Sequence, residues 1–372
     1  MNRRQFATLL IGGATVGFSM PARADRELGE AKTQFVTLKD FRLQSGVVLP
    51  EVSIAYHAFG TLAADGRNAV LLMHGYTAGH HMIGRAGGAV GSWDVLAGPG
   101  KAIDTDRLFV VSSNMLGSCF GSTGPASINP ATGKPWGPDF PAITAIDIVT
   151  AQRRLLEALG VQHVLAVTGP SYGGMLAFQW GVSFPDFVDA IVPVVAGPKS
   201  HDLDAPLKVL SDWLAEDPNW NGGWYYDKGG IAATMADFYV GYLENYGIDA
   251  QLRPRFPDEA ARKAEIRRRA EAWARVFDGN ALLTLFRAVV RFDAEKDFAR
   301  LKGKKVLYVL SRSDHDYPPS IAPGIIAKMR TAGADAAYFE IDSDLGHFAS
   351  GVDGAKWAPR LRAFMDGLDK RR

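Results

Sequence analysis

Cysteine is nearly absent from this chain of 372 residues, in which Cys119 is the single thiol. One thiol excludes an intramolecular disulfide framework and a zinc site built from cysteines. The eight histidines are scattered along the sequence and show no His-Glu-x-x-His or comparable ligand spacing. The sequence therefore predicts neither a metal nor another cofactor.

An excess of charge of either sign is also absent. The 41 lysines and arginines balance 40 aspartates and glutamates. No basic field marks a nucleic-acid binder, and no long charge run marks a tail. With 47% hydrophobic residues, the chain can form one large α/β domain or two ordinary ones. These properties favour a small molecule as the partner.

The N-terminus has the three-part layout of an export signal. Arg3 and Arg4 precede Phe6, an apolar run follows at residues 9–20, and an Ala-x-Ala site ends at Ala24. Paired arginines in this setting predict a twin-arginine signal at residues 1–24. The apolar run is too short to span a bilayer. We expect cleavage after Ala24 and a periplasmic or secreted protein; an uncleaved amphipathic anchor is the alternative.

The strongest signal for function lies at residues 164–175. An apolar run rich in β-branched residues ends in Gly-Pro-Ser-Tyr-Gly, with Ser171 at its centre, and an amphipathic segment follows at 175–184. Strand, G-x-S-x-G and helix together predict a nucleophile elbow. Gly169 and Gly173 suit it because a Cβ would clash across the strained turn. A solvated serine in a glycine-rich turn is the alternative.

The rest of the chain alternates between predicted strands and helices. Residues 34–60 alternate apolar and polar, which predicts antiparallel strands at a sheet edge. Continuous apolar runs predict buried strands at 69–75, 108–114, 190–196, 305–311 and 336–341. Helical spacing appears at 143–160 and 320–331. This alternation predicts an α/β fold with a mostly parallel central sheet.

Two long stretches interrupt this alternation. Residues 200–299 are helical, charged and rich in aromatics, and we interpret them as a lid over a core formed by 25–199 and 300–372. A packing subdomain without a role in the site is the alternative. Residues 117–141 are rich in glycine and proline, and a loop of that length is usually functional or disordered.

A serine nucleophile needs a base and an acid, and after an elbow the acid precedes the histidine along the chain. Asp314 follows the strand predicted at 305–311, and His347 follows the strand predicted at 336–341. Ser171, Asp314 and His347 are therefore the predicted triad. The alternatives considered for its members are Asp316, Asp342 and Asp344 as the acid, His315 and His74 as the base, and Cys119 as the nucleophile.

The tetrahedral intermediate needs two N–H donors for its oxyanion. The backbone N–H of Tyr172 follows the nucleophile directly and is one candidate. The backbone N–H of Tyr76, in the loop after His74-Gly75, is the other. His74 is expected to shape that loop rather than to act as a base.

Several segments resemble the homoserine O-acetyltransferase family. They are Gly121–Pro130, Thr132–Pro135, Asp217–Gly223, Ser313-Asp314 with Tyr317–Pro319, and Gly346-His347. The resemblance covers most of the chain after the signal. It implies an α/β-hydrolase fold with a helical lid, the triad named above, and a homodimer.

The chain departs from the family pattern at two places. The family elbow usually reads Gly-Ser-Met-Gly-Gly-Met, whereas here it reads Pro-Ser-Tyr-Gly-Gly-Met. The arginine that usually holds an amino-acid carboxylate is also absent, because no arginine occurs at residues 221–252. With the export signal, these departures predict that the acyl acceptor is water.

The sequence therefore predicts an exported serine esterase that cleaves short, acetyl-type carboxylic esters through an acyl-enzyme. The alternative is an O-acyltransferase of the homoserine O-acetyltransferase type that uses acetyl-CoA. A non-catalytic binding protein on a hydrolase scaffold is a third hypothesis, which an intact triad disfavours.

Overall fold

The computed structural model describes residues 27–369 of the chain. The predicted export signal at residues 1–24 lies outside the described residues. Across residues 27–369, no helix has the length and hydropathy needed to cross a bilayer.

The core of the molecule is an eight-stranded sheet. Its strands are β1 (Gln34–Arg42), β2 (Val48–Phe59), β3 (Ala69–Met73), β4 (Phe109–Ser113), β5 (Val164–Pro170), β6 (Val188–Val194), β7 (Lys305–Ser311) and β8 (Asp335–Ile341). Their spatial order is β1-β2-β4-β3-β5-β6-β7-β8. β1 and β2 pair antiparallel, β2 pairs antiparallel with β4, and the remaining neighbours are parallel. The predicted α/β class with a mostly parallel sheet is confirmed.

Helices cover both faces of this sheet. They are α1 (Ala145–Ala158), α2 (Tyr172–Ser183), α3 (Asp204–Ala215), α4 (Ala232–Asn245), α5 (Ile248–Leu252), α6 (Glu259–Ala274), α7 (Gly279–Val289), α8 (Ala322–Thr331), α9 (Ala349–Val352) and α10 (Ala358–Asp369). α1, α2 and α8 pack into one hydrophobic core, and α10 packs into the core on the other face. Continuous apolar strands such as β3, buried along its whole length, suit this two-sided burial.

Helix α2 differs from its prediction as an amphipathic segment. Every residue from 172 to 182 is buried, because α2 packs against the sheet, α1 and the 3-10 helix Glu295–Leu301. A helix that is enclosed on all sides carries apolar residues all round, which masks a helical period in the sequence.

The predicted insertion enters and leaves the core through one narrow neck. The N–H of Ser200 donates to the carbonyl of Phe292 (2.9 Å), and the N–H of Ala294 donates to that of Pro198 (2.9 Å). Between these bonds, helices α3, α4, α6 and α7 form a hydrophobic cluster to which Leu214, Met235 and Trp273 belong, and α5 packs in a separate, smaller cluster. The insertion is therefore hydrogen-bonded at its base and packed internally above it.

The long loop at residues 117–141 is an ordered brace. The N–H of Thr123 donates to the carbonyl of Ser53 (2.8 Å), and the N–H of Ala55 donates to Ser122 Oγ (3.0 Å). These bonds extend the pairing of β2 beyond the end of β4. The loop thus supports the sheet edge, and none of its residues lines the catalytic cavity described below.

Candidate active site

Ser171 lies at the turn between β5 and α2 in a strained conformation. Its φ of 56° and ψ of −119° are rare for a residue with a side chain. A Cβ on Gly169 would lie 2.1 Å from the carbonyl oxygen of Met73, and one on Gly173 would lie 2.2 Å from it. Glycine at both positions therefore lets the turn approach β3, which presents the serine at the carboxyl edge of the sheet.

Asp314 and His347 meet at the same edge. His347 Nδ1 lies 2.8 Å from Asp314 Oδ2, and both side chains are buried. The other carboxylate oxygen, Oδ1, accepts the N–H groups of Asp316 (3.0 Å) and Tyr317 (3.2 Å). Because the carboxylate accepts the Nδ1 proton, His347 Nε2 is the basic nitrogen.

Nε2 of His347 is buried and has no hydrogen-bond partner within residues 27–369. Ser171 and His347 line one cavity, so the free nitrogen and the nucleophile share a space. Buried polar atoms are normally satisfied, and an unsatisfied one at this position suits a base that awaits a proton.

The alternative acids Asp316, Asp342 and Asp344 and the alternative base His315 are exposed at the surface. Asp342 and Asp344 are exposed and form ion pairs with Arg312 (2.9 and 2.5 Å). His315 is exposed on the surface beside Asp314. Of the predicted acids, the structure brings only Asp314 into contact with His347.

Both ring nitrogens of His74 are used for structure. Its Nδ1 donates to the carbonyl of Gly75 (2.8 Å), and its Nε2 accepts the N–H of Met115 (3.3 Å). Burial lowers the pKa of this imidazole to about 4, so it stays neutral near pH 7. His74 therefore holds the loop that follows β3, the position in which the sequence placed it.

Tyr76 and Tyr172, whose backbone N–H groups are the predicted oxyanion donors, have neighbouring side chains in the structure. Neither the backbone N–H of Tyr76 nor that of Tyr172 has an acceptor in the described part of the chain. Their rings stack at 6.1 Å, and their hydroxyls donate to α7 carbonyls, those of Leu282 (2.6 Å) and Leu285 (2.9 Å). The sequence assigned these residues backbone roles alone, whereas their side chains also tie the donor loop to the insertion.

The cavity in front of Ser171 has a volume of about 660 Å³. One wall comes from the insertion, where Tyr239 and Tyr242 of α4 and Tyr246 at its C-terminal end line the cavity at helical spacing. Trp273 of α6 stacks on Tyr239 at 4.1 Å. The indole N–H of Trp273 also donates to the carbonyl of Thr77 in the donor loop (2.9 Å). The insertion therefore forms a wall of the catalytic cavity.

Arg269 of α6 also lines this cavity, and the sequence interpretation missed it. Its Nε donates to Glu265 Oε1 (2.8 Å), and Glu265 also pairs with Arg268. Arg268 and Arg269 lower the pKa of the Glu265 carboxyl to about 2, so the carboxylate is ionised. Among the described lining residues, Arg269 is the only lysine or arginine. A cation therefore lines the cavity, but it belongs to α6 and lies outside residues 221–252.

Cys119 takes no part in the site. It is half-buried beside the hydrophobic cluster of the insertion and does not line the cavity. Burial raises the pKa of its thiol to about 12, so the reactive thiolate is scarce. Over residues 27–369, no group of three or more His, Cys, Asp or Glu side chains is placed to bind a metal.

Similarity to known proteins places this geometry in a family. A sequence profile described as the α/β hydrolase fold matches residues 68–352. A homoserine O-acetyltransferase of Rhodospirillum rubrum is 37% identical over 352 residues, which cover 88% of this chain and 90% of the relative. The chain belongs to the homoserine O-acetyltransferase family of α/β-hydrolases.

Solved structures show the same architecture as this family member. A homoserine O-acetyltransferase from Bacillus anthracis superposes with a TM-score of 0.82 at 25% identity, covering 91% of this chain and 98% of that one. A structure of esterase E22 also gives a TM-score of 0.82, at 28% identity, covering 90% and 100%. The chain is therefore an enzyme of the α/β-hydrolase superfamily.

The prediction of an ester hydrolase is wrong. Curated relatives at 33% to 37% identity are homoserine O-acetyltransferases, which favours the acyltransferase alternative for this member of the family. That prediction rested on the elbow residues, on the lack of arginine at residues 221–252 and on the export signal, which do not decide the acceptor. In the folded chain, α6 brings Arg269 to the cavity wall.

Proposed function

We propose that this protein is an O-acyltransferase that transfers an acetyl group from acetyl-CoA to the hydroxyl of homoserine. The observation that carries the proposal is one cavity that combines Ser171, His347 and Arg269. The first two form and resolve an acyl-enzyme, and the guanidinium offers a partner for an acceptor carboxylate. The names of the relatives support the same acceptor.

The first half-reaction acylates the serine. Nε2 of His347 takes the proton from Ser171 Oγ, which attacks the thioester carbonyl of acetyl-CoA. The backbone N–H groups of Tyr76 and Tyr172 bind the oxyanion, and Asp314 stabilises the imidazolium. The carbon–sulfur bond then breaks, and the proton on Nε2 passes to the departing CoA thiolate.

The second half-reaction transfers the acyl group. The homoserine carboxylate binds Arg269, which directs the hydroxyl of the acceptor toward the acyl-enzyme. His347 Nε2 takes the hydroxyl proton while the acceptor oxygen attacks the ester carbonyl. The bond to Ser171 Oγ breaks, and the serine recovers the proton from His347.

The test is a product analysis with the purified protein. Acetyl-CoA is supplied with and without homoserine, and O-acetylhomoserine, acetate and free CoA are quantified by mass spectrometry. We expect O-acetylhomoserine to exceed acetate, and both to be lost in Ser171→Ala. Acetate alone, at a rate that homoserine does not change, would overturn the proposed function.

We further propose that the protein is exported through the signal at residues 1–24. The proposal is supported by the paired arginines and the Ala-x-Ala site. N-terminal sequencing of the periplasmic fraction should begin at Asp25; an intact Met1 in the cytoplasm would contradict it. Export would separate the enzyme from cytoplasmic acetyl-CoA. A periplasmic enzyme would therefore count against acetyl-CoA as the donor in the cell. The homodimer implied by the resemblance stays a prediction, which light scattering coupled to size-exclusion chromatography tests.

A further inference from the structure

Tyr246 lies between the catalytic cavity and a second, smaller cavity. The second cavity has a volume of about 220 Å³ and lies beside the Asp314–His347 pair. Only two of the described residues line both spaces, Tyr246 and His347. The phenol ring of Tyr246 therefore forms part of the partition between them.

The smaller cavity, called the acidic crevice below, is lined by carboxylates that reach the solvent. Glu244, Asp316 and Asp344 line it, and all three are exposed to solvent. Carboxylates at a surface retain ordered water, so this crevice brings water to the far side of the partition. The catalytic cavity, by contrast, is walled on that side by aromatic rings.

Several contacts hold the ring of Tyr246 in place. It stacks on the imidazole of His347, with centroids 4.4 Å apart and planes 18° apart. Tyr242 and Phe348 meet it edge-on, at 4.4 and 6.1 Å. Gly247, with a φ of 83°, ends α4 directly after it and turns the chain away. The ring is thus packed on several sides at the point where the insertion touches the base.

The ring is also electrically neutral. Burial raises the pKa of the Tyr246 hydroxyl well above its ordinary value, and nearby Tyr242 and Asp316 raise it further. A neutral aromatic face over His347 excludes water without introducing a charge beside the base.

We propose that Tyr246 shields the acyl-enzyme from the water of the acidic crevice and so favours acyl transfer over hydrolysis. This inference rests on the proposed function. In the suppressed reaction, a water oxygen attacks the acyl carbonyl and gives its proton to His347 Nε2. The bond to Ser171 Oγ then breaks, the serine takes that proton, and acetate leaves.

The test compares products in three variants. Tyr246→Ala opens the partition, Tyr246→Phe keeps the ring, and Phe238→Ala removes a ring of α4 that lines neither cavity. The readout is the ratio of O-acetylhomoserine to acetate, which does not depend on the fraction of folded enzyme. We expect Tyr246→Ala to lower the ratio about tenfold or more. Tyr246→Phe and Phe238→Ala should leave it within about twofold of wild type.

A second measurement separates this inference from the proposed function. The enzyme is acylated with p-nitrophenyl acetate without an acceptor, and loss of the acetyl adduct is followed by intact-protein mass spectrometry. The adduct should decay about tenfold faster in Tyr246→Ala than in wild type. Equal decay rates and an unchanged product ratio would overturn the role of Tyr246. A wild-type enzyme that forms no O-acetylhomoserine would overturn the proposed function, while the decay rates would still test the shield.

Discussion

The two walls of the catalytic cavity are held by different forces. On the sheet side, Ser171 and His347 stand at strand ends, where backbone geometry and burial fix them. On the insertion side, Tyr239 and Trp273 are held by stacking, and Arg269 is held by an ion pair that is partly exposed. The catalytic residues are thus held in place mainly by the backbone and by burial. The insertion side is built from side chains, which single substitutions can alter.

Asp314→Asn, on the sheet side of the cavity, should cause the largest loss of activity. The amide carries no charge, and its NH2 group can donate to Nδ1 and hold the wrong tautomer, so His347 loses its orientation and charge stabilisation. We expect kcat/KM to fall about 10⁴-fold, with the circular dichroism spectrum retained. Asp342→Asn is the matched control, because its exposed carboxylate pairs with Arg312 on the surface. A comparable loss in that control would show that the assay reports general damage.

Gly169 on the sheet side and Gly241 in the insertion allow the two sides to be compared by the stability of their alanine variants. A Cβ at Gly169 would lie 2.1 Å from a carbonyl oxygen of β3, so Gly169→Ala must displace backbone. We expect it to lower the free energy of unfolding by about 3 kcal/mol. Gly241 in α4 has open space around it, and Gly241→Ala should stabilise the protein by about 0.5–1 kcal/mol. Urea titration of both variants checks this; equal effects would contradict the contrast.

Arg269→Ala should damage the insertion wall selectively. Loss of a charged hydrogen bond to a carboxylate costs about 1.5–3 kcal/mol, so KM for homoserine should rise about 10- to 100-fold. Acylation by p-nitrophenyl acetate, which has no carboxylate to bind, should change little. Arg268→Ala is the control, since Arg268 pairs with the same Glu265 but does not line the cavity. If both variants raised KM equally, Arg269 would not be the carboxylate partner.

The smallest expected effect is a loss of stability in mild acid, caused by buried histidines of the core rather than by groups of the insertion. His57 and His80 lie 4.4 Å apart near His81, and the Thr33 hydroxyl lies 3.1 Å from Nε2 of each. Burial and repulsion between the rings lower the pKa of His57 to about 4 and of His80 to about 3. The unfolded chain takes up protons below about pH 6.5, whereas the folded rings stay neutral. Stability is therefore lost as the pH falls.

Between pH 7 and 5.5, each ring should lower the free energy of unfolding by roughly 1 kcal/mol. Urea titrations at both pH values, with His80→Gln as a comparison, measure this loss. The variant should lose less stability than wild type over the same range. The ion pair of Glu265 with Arg269 should persist, because the pKa of that carboxyl is about 2. A pH-independent stability would contradict the role of the histidines.

The sheet wall could be derived from the sequence because its signals are local. The elbow is contiguous, and Asp314 and His347 each follow an apolar run whose end marks the sheet edge. Parallel strands bring such ends together whatever lies between them. The strained backbone of Ser171 could also be predicted from the motif, because glycines at 169 and 173 indicate a turn too tight for a side chain at either position.

The insertion wall could not be derived in this way. Arg269 reaches the cavity only through the packing of α6 against α4, which no short window of sequence contains. A local signal for part of it was present, because Tyr239, Tyr242 and Tyr246 recur at helical spacing. That pattern predicts an aromatic face on one helix, but it does not tell which cavity the face lines. The lack of arginine at residues 221–252, one of the three grounds for water as the acceptor, was taken from such a short window.

The neck of the insertion has a consequence for how such enzymes diversify. Ser200 and Phe292, at its two sides, are already hydrogen-bonded to one another, so the core needs no particular length of chain between them. An engineer could therefore exchange the chain from α3 to α6 at this neck. Helix α7 must be kept, because Leu285 packs in the main core and the carbonyls of Leu282 and Leu285 accept the hydroxyls of Tyr76 and Tyr172. Natural variation at the same neck can change which acceptors the enzyme binds.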